Sequence, residues 1–236
     1  MNIPRLLPLL LAVLFVQAFA QMAAENALAS TEYPLDIARR LQNRYDHIES
    51  LNFHFKQQVT GQMAGRDKAA SGEAWFLKNA DGGRMRWNYV NPQQVLVSDG
   101  QKFSMYFEEL KQMIVSDADS LDQELTYSFF SGRGNLERDF HILPADEAYG
   151  LQDYQGKGAK IIKLVPIKDQ AQVEDIHLWV NADSLIERIV LRDHLDTRTT
   201  LTFSAIRPNA LAGLAPAEVR QLFSFTPPAG TEIIRQ

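Results

Sequence analysis

Between Gly83 and Tyr106 the sequence GRMRWNYVNPQQVLVSDGQKFSMY carries a period of two. Met85, Trp87 and Tyr89 alternate with Arg84, Arg86 and Asn88, the pattern of a strand with one apolar face. Asn91-Pro92 interrupts the run, because proline has no N–H to give to a ladder. Val95-Leu96-Val97 restarts extended chain, Asp99-Gly100 predicts a tight turn, and Phe103, Met105 and Phe107 share one face of the return strand. Leu51, Phe53, Phe55, Gln57 and Val59 alternate with polar residues in the same way. Further strands are predicted at 73–78, 111–115, 140–143, 160–166, 176–180, 185–191 and 197–206, with an edge strand in the tail ended by Pro227-Pro228. The period lengthens to three and four in two places. After Tyr33-Pro34, Leu35, Ala38, Leu41, Tyr45 and Ile48 form the stripe of an amphipathic helix of about four turns. After Asp119-Ser120, Leu121, Leu125 and Phe129 form a second, unusually apolar one that Gly132 ends. Pro216 to Arg220 predicts one more helical turn. Meandering strands with two or three helices and no regular βαβ alternation argue for an antiparallel sheet. No linker or repeat divides the chain, so residues 33–236 read as one domain.

The N-terminus is an address. Arg5 precedes an apolar run from Leu6 to Phe19, and Ala18-Phe19-Ala20 fits a small-x-small cleavage site, so residues 1–20 are expected to be a cleaved signal peptide. The run is short for a membrane span, and Pro8 and Gln17 interrupt it. Residues 21–32 are expected to be a flexible lead-in. The chain has no cysteine, which excludes a lipid anchor after the leader, disulfides and thiolate chemistry. The 236 residues carry a formal net charge of -5, which gives no electrostatic case for nucleic acid.

The sequence offers little catalytic chemistry. His47, His54, His141, His177 and His194 are scattered without metal-ligand spacing, and no metal or cofactor is expected. There is no nucleophile elbow, Walker loop or dinucleotide fingerprint. The carboxylate pairs Glu108-Glu109 and Glu174-Asp175 fall at turns or strand ends, where solvated charge is ordinary. The remaining signal is aromatic: Trp75, Trp87, Phe103 and Trp179 all sit in predicted strands. Two readings stand for that face, an ordinary packed core or a curved sheet too wide to fill itself, leaving an apolar cavity.

Several pieces together resemble the LolA family of periplasmic outer-membrane lipoprotein carriers. They are Gly72-x-x-Trp75, Met85-Arg86-Trp87-Asn88-Tyr89, Asn91-Pro92, Leu96-Val97-Ser98-Asp99-Gly100-x-x-Phe103 and Phe223-x-Phe225-x-Pro227-Pro228-x-Gly230-x-Glu232. The resemblance implies a mainly β, α+β fold: a strongly curved, incompletely closed antiparallel β-barrel covered by a few α-helices. It also implies a soluble, non-enzymatic periplasmic carrier, expected to be a monomer. Such a carrier would take acylated lipoproteins from an inner-membrane exporter complex and give them to an outer-membrane acceptor. Within that picture Trp75, Met85, Trp87, Tyr89, Leu96, Phe103 and Met105 are the expected cavity wall, with Leu41, Tyr45, Leu125 and Phe129 on the covering helices. Family members tie the lid to the sheet with an arginine just after the strand of the first tryptophan. Here that place reads Leu77-Lys78-Asn79, so Lys78, Arg84 or Arg86 is the candidate clamp. The competing readings are a lipid- or glycolipid-binding or lipoprotein-sensing protein of the same fold, a hydrolase with a scattered site, and a structural sandwich with no ligand.

Overall fold

A computed structural model describes residues 32–61, 68–78, 83–119, 129–130, 134–149 and 158–236. The expected signal peptide lies outside them, as do most of the lead-in and most of the second amphipathic helix, Leu125 included. Residues 34–236 form one compact unit.

The chain enters through α1 (Pro34–Asp46). The first meander follows: β1 (Ser50–Thr60), β2 (Lys68–Leu77), β3 (Arg84–Val90), β4 (Gln93–Ser98), β5 (Lys102–Phe107) and β6 (Gln112–Asp117). The short helix α2 (Leu136–Asp139), which the sequence pattern does not announce, is capped by Asn135, whose side chain accepts from Arg138 N. The second meander is β7 (Phe140–Pro144), β8 (Lys160–Pro166), β9 (Asp175–Val180), β10 (Ile186–Arg192) and β11 (Arg198–Pro208). Helix α3 (Pro216–Leu222) and β12 (Glu232–Arg235) finish the chain. Together the strands make one 12-stranded sheet in the order β12-β6-β5-β4-β3-β2-β1-β11-β10-β9-β8-β7. It is curved and mainly antiparallel, and hydrogen bonds do not close it into a complete barrel. The tail departs from expectation: β12 begins beyond Pro227-Pro228 and pairs parallel with β6. Register irregularities between Asn52 and His54 on β1, and between Ile186 and Arg188 on β10, add the local twist that helps a sheet curl.

Cross-strand register sorts the inner side chains of the first meander into three rows. The first is Leu51, Phe76, Met85, Ser98, Phe103 and Ser116. The second is Phe53, Ala74, Trp87, Leu96, Met105 and Ile114. The third is Phe55, Gly72, Tyr89, Gln94, Phe107 and Gln112. Gly72 is required in the third row, since a Cβ there would lie 1.9 Å from the carbonyl oxygen of Asn88 and 2.9 Å from the ring of Phe55. Leu201, Phe203, Ile189, Ile176, Leu178, Ile162 and Leu164 carry the inner face across the second meander.

The outer face is also covered. Val95, Val97, Tyr106 and Met113 pack with Phe225 of the C-terminal segment. Trp179, Val190 and Ala159 form a separate cluster with Tyr149.

Candidate functional site

The inner face meets a helix and two phenylalanines rather than a second sheet. Helix α1 turns Ile37, Ala38, Leu41 and Tyr45 toward the core; of the expected stripe, Ala38, Leu41 and Tyr45 are so placed, Leu35 is exposed, and Ile48 is buried just beyond the helix end. Phe130 is buried at the centre. Its ring centroid lies 5.0 Å from that of Phe76, 5.6 Å from Phe53, 5.8 Å from Tyr45 and 5.9 Å from Phe203. Trp87 extends the pile, 4.6 Å from Phe55 and 5.8 Å from Phe53. These separations suit tilted and edge-on aromatic pairs. Beneath Phe129, Phe130 and Leu136 a hollow of about 40 Å³ remains, lined from the other meander by Phe140, Leu164, Leu178 and Ile189. That is room for roughly three waters by the usual one-sphere measure, so this hollow, as the described residues bound it, is small.

Most of the expected wall is brought together. Met85, Trp87 and Phe103 are buried in the inner cluster, with Tyr89, Leu96 and Met105 packed against it. None of these six lines the hollow. Leu41, Tyr45 and Phe129 meet the same cluster. Trp75 does not. Ala74 and Phe76 pair with Trp87 and Met85, so Trp75 shares the outer face with its partner Arg86. There it borders a groove with Asn52, Arg207, Leu211 and Leu222. Trp179 is likewise on the outer face.

The three candidate clamps have different fates. Lys78 Nζ donates to the carbonyl oxygen of Tyr45 in the last turn of α1. Burial lowers its pKa, while Asp46 and Glu49 oppose that shift. Arg86 instead points outward: its Nη1 donates to Leu222 O at 2.9 Å and Ser224 O at 3.0 Å, and its guanidinium lies 6.0 Å from the ring centre of Phe225. It holds the C-terminal segment, not a covering helix. Arg84 is on the same outer side, and its buried Nε has no hydrogen-bond partner among the described residues.

Helix α1 has further attachments. The Tyr45 hydroxyl accepts from Ile186 N at 3.2 Å, and burial raises its pKa. Gln42 accepts from Leu136 N at 3.0 Å, and Arg39 forks onto Glu137 at 2.9 and 3.1 Å.

Two features of the site and its surroundings exceed the sequence reading. The inner wall also includes Phe53, Phe55, Phe76, Phe203 and the apolar side of β8–β10. Asp175 is not a solvated strand-end carboxylate. It is buried on the outer face, where Arg192 Nε donates to it at 3.1 Å. Its Oδ1 lies 3.6 Å from Nδ1 of the fully buried His177. The Tyr149 ring stacks on His177 at 4.0 Å, and burial pushes the pKa of His177 down against the pull of Asp175 and Asp146.

A family model described as outer membrane lipoprotein carrier protein LolA matches residues 46–215. An outer-membrane lipoprotein carrier protein of Nitrosomonas europaea is 31% identical over 169 residues, 71% of this chain and 74% of that one. Its counterpart in Bordetella avium is 26% identical over 93% of this chain and 96% of its own. Among solved structures, a LolA superfamily protein from Nitrosomonas europaea aligns with TM-score 0.41 and 14% identity, covering 83% of this chain and 99% of that one.

Proposed function

Because the chain belongs to the LolA family of outer-membrane lipoprotein carriers, we propose that it is a periplasmic carrier that hides the acyl chains of lipoproteins on its inner face. It would receive them from an inner-membrane exporter and release them to an acceptor at the outer membrane. Each methylene taken out of water contributes about 0.8 kcal/mol, so several long chains cannot cross an aqueous compartment bare. A shuttle must bind them well enough to shield them and loosely enough to let go. That demands a site with a cheap empty state.

One observation carries the reading. Among the described residues, the apolar concavity is occupied by Phe130 and buried side chains of α1, all from outside the sheet, and the hollow beneath Phe129 and Phe130 measures about 40 Å³. An empty greasy bowl in water would be unfavourable, and these side chains stand where a ligand's chains would lie. Cargo then competes with them, as a two-state cover requires. Lys78, reaching the carbonyl of Tyr45, takes the place of the clamp that ties α1 to the sheet. A lysine makes a single-point attachment where an arginine could make a fork.

Native mass spectrometry of the protein purified from its own periplasm tests the proposal. Co-purifying acylated protein is the expected result. Clean protein that also ignores a fluorescent acyl probe would overturn it.

A further inference from the structure

The inner face of the first meander changes chemistry from row to row. The middle row, Phe53 to Ile114, has no polar side chain. The next row interleaves Tyr89, Gln94 and Gln112 with apolar residues, and Gln57 stands one step further along β1. The Tyr89 hydroxyl donates to Gln57 Oε1 at 3.0 Å, which places both side chains on the inner side. Gln94 shares that side with Leu96 two residues on, and it sits directly between Tyr89 and Phe107 in the ladder. Gln112 is committed, donating to Glu232 at 2.8 Å. The amide N–H groups of Gln57 and the whole amide of Gln94 have no partner among the described residues. The band carries no charge of its own. Among the described residues, the inner-face charges nearest to it flank it, Lys68 opposite Val59 on one side and Glu232 at the sheet edge on the other.

A primary amide offers donors and an acceptor without net charge. That suits ester, amide and peptide groups, which are themselves neutral and mostly acceptors. A phosphate or free carboxylate would call for a cation or a cluster of N–H groups, the pairing that makes charged hydrogen bonds strong. Resting on the carrier reading, we infer that Gln57, Tyr89 and Gln94 form a head-group subsite for the neutral ester and amide links that join acyl chains to a peptide. The chains lie along the apolar middle row, and the peptide leaves over the third. The subsite selects acylated peptide over charged phospholipid, a distinction the apolar wall cannot make.

The test compares the full mature chain with a Gln57→Leu/Gln94→Leu double variant. Three probes are titrated: a synthetic triacylated peptide, phosphatidylglycerol dispersed in detergent, and a hexadecyl-chain fluorophore without an ester. The wild type is expected to prefer the acylated peptide. The double variant is expected to lose about three- to tenfold in affinity for that peptide per hydrogen bond removed, while holding the hexadecyl probe unchanged. If the variant proves unfolded by thermal melt, the single Gln94→Leu change at a half-exposed position is read instead. A variant that keeps the full preference, or a wild type that prefers phosphatidylglycerol, overturns the subsite and leaves acyl carriage intact. A wild type that binds neither chain nor acylated peptide overturns the carrier reading as well.

Discussion

Replacing Phe130 by alanine separates a core residue from a stand-in for cargo. The ring touches Tyr45, Phe53, Phe76 and Phe203 in the centre of the bowl, and its neighbour Phe129. Truncating a buried phenylalanine costs about 3–5 kcal/mol, made up of lost transfer energy and the cavity left behind. The low end applies here, since Phe130 is contributed from outside the sheet and its loss leaves every ladder intact. For a chain of this size, 3 kcal/mol corresponds to a drop of roughly 6–12 °C in Tm. A purely structural ring predicts that and nothing more. A ring that occupies the cargo's space predicts an opposite effect on binding, because an incoming chain no longer has to evict it. Part of the cost of opening is removed, and acyl affinity rises while stability falls. The assay is a thermal melt and an acyl-probe titration on the same preparation, with Phe130→Leu as an intermediate step. A variant whose melting point and acyl affinity fall together would refute the reasoning, since the ring would then be part of a filled core.

Other expectations follow from single distances and burials. Gly72→Ala pushes a Cβ against the Asn88 carbonyl at 1.9 Å, so β2 and β3 must separate locally; a loss of several kcal/mol in denaturant unfolding is expected, beyond the usual range for a point change, and an unshifted midpoint would contradict the register. Lys78→Met removes the donor to the Tyr45 carbonyl, and hydrogen exchange in the last turn of α1 should quicken by about three- to tenfold, with Lys78→Arg restoring protection. His177 is held below the ordinary histidine pKa by burial, whereas the unfolded chain titrates near 6.5. Both states are then neutral above that pH, and stability falls as pH drops below it because the unfolded chain takes the proton more readily; a stability profile from pH 7.5 to 5 should slope less in His177→Gln. Acyl chains carrying bromine should quench Trp87, which lies in the inner aromatic pile, and spare Trp75 and Trp179. Phenylalanine substitutions one tryptophan at a time assign the signal, and equal quenching of all three would count against an inner-face site.

The alternation of β1, β3 and β5 placed their inner faces correctly, since polar partners intervene on each strand. It failed at β2. Residues 73–77 read Glu-Ala-Trp-Phe-Leu, apolar at four successive positions, and no period can be read from such a run. The cause is on the other side of the sheet, where the segment after β11 partly covers Trp75 with Leu211 and Leu222. Strand β9 is the extreme case, buried at every position, and its Asp175-Ile-His177 start looks like surface chemistry until Arg192 and Tyr149 are seen across from it. Two covered faces erase the signal that one covered face writes. Lys78 stood out as a clamp candidate only through its place relative to the arginine that the resemblance implies, and its bond to the Tyr45 carbonyl is a long-range contact that no strand pattern announces. The separation of Arg86 from that role could not be read at all, because its partners lie 136 and 138 residues away.

The strand order carries a consequence for how the molecule is made. Nearly every ladder joins strands that follow one another in sequence, so each meander can zip up from its own hairpins. The bond between the meanders is different: β1 must find β11, residues 51–60 against 198–208. Such distant pairings are slow. A chain emerging in order would display Phe53 and Phe55 on a bare strand edge until almost the whole polypeptide had arrived. That interval, more than any weakness of the finished sheet, is when this protein is most exposed to aggregation and most in need of an escort.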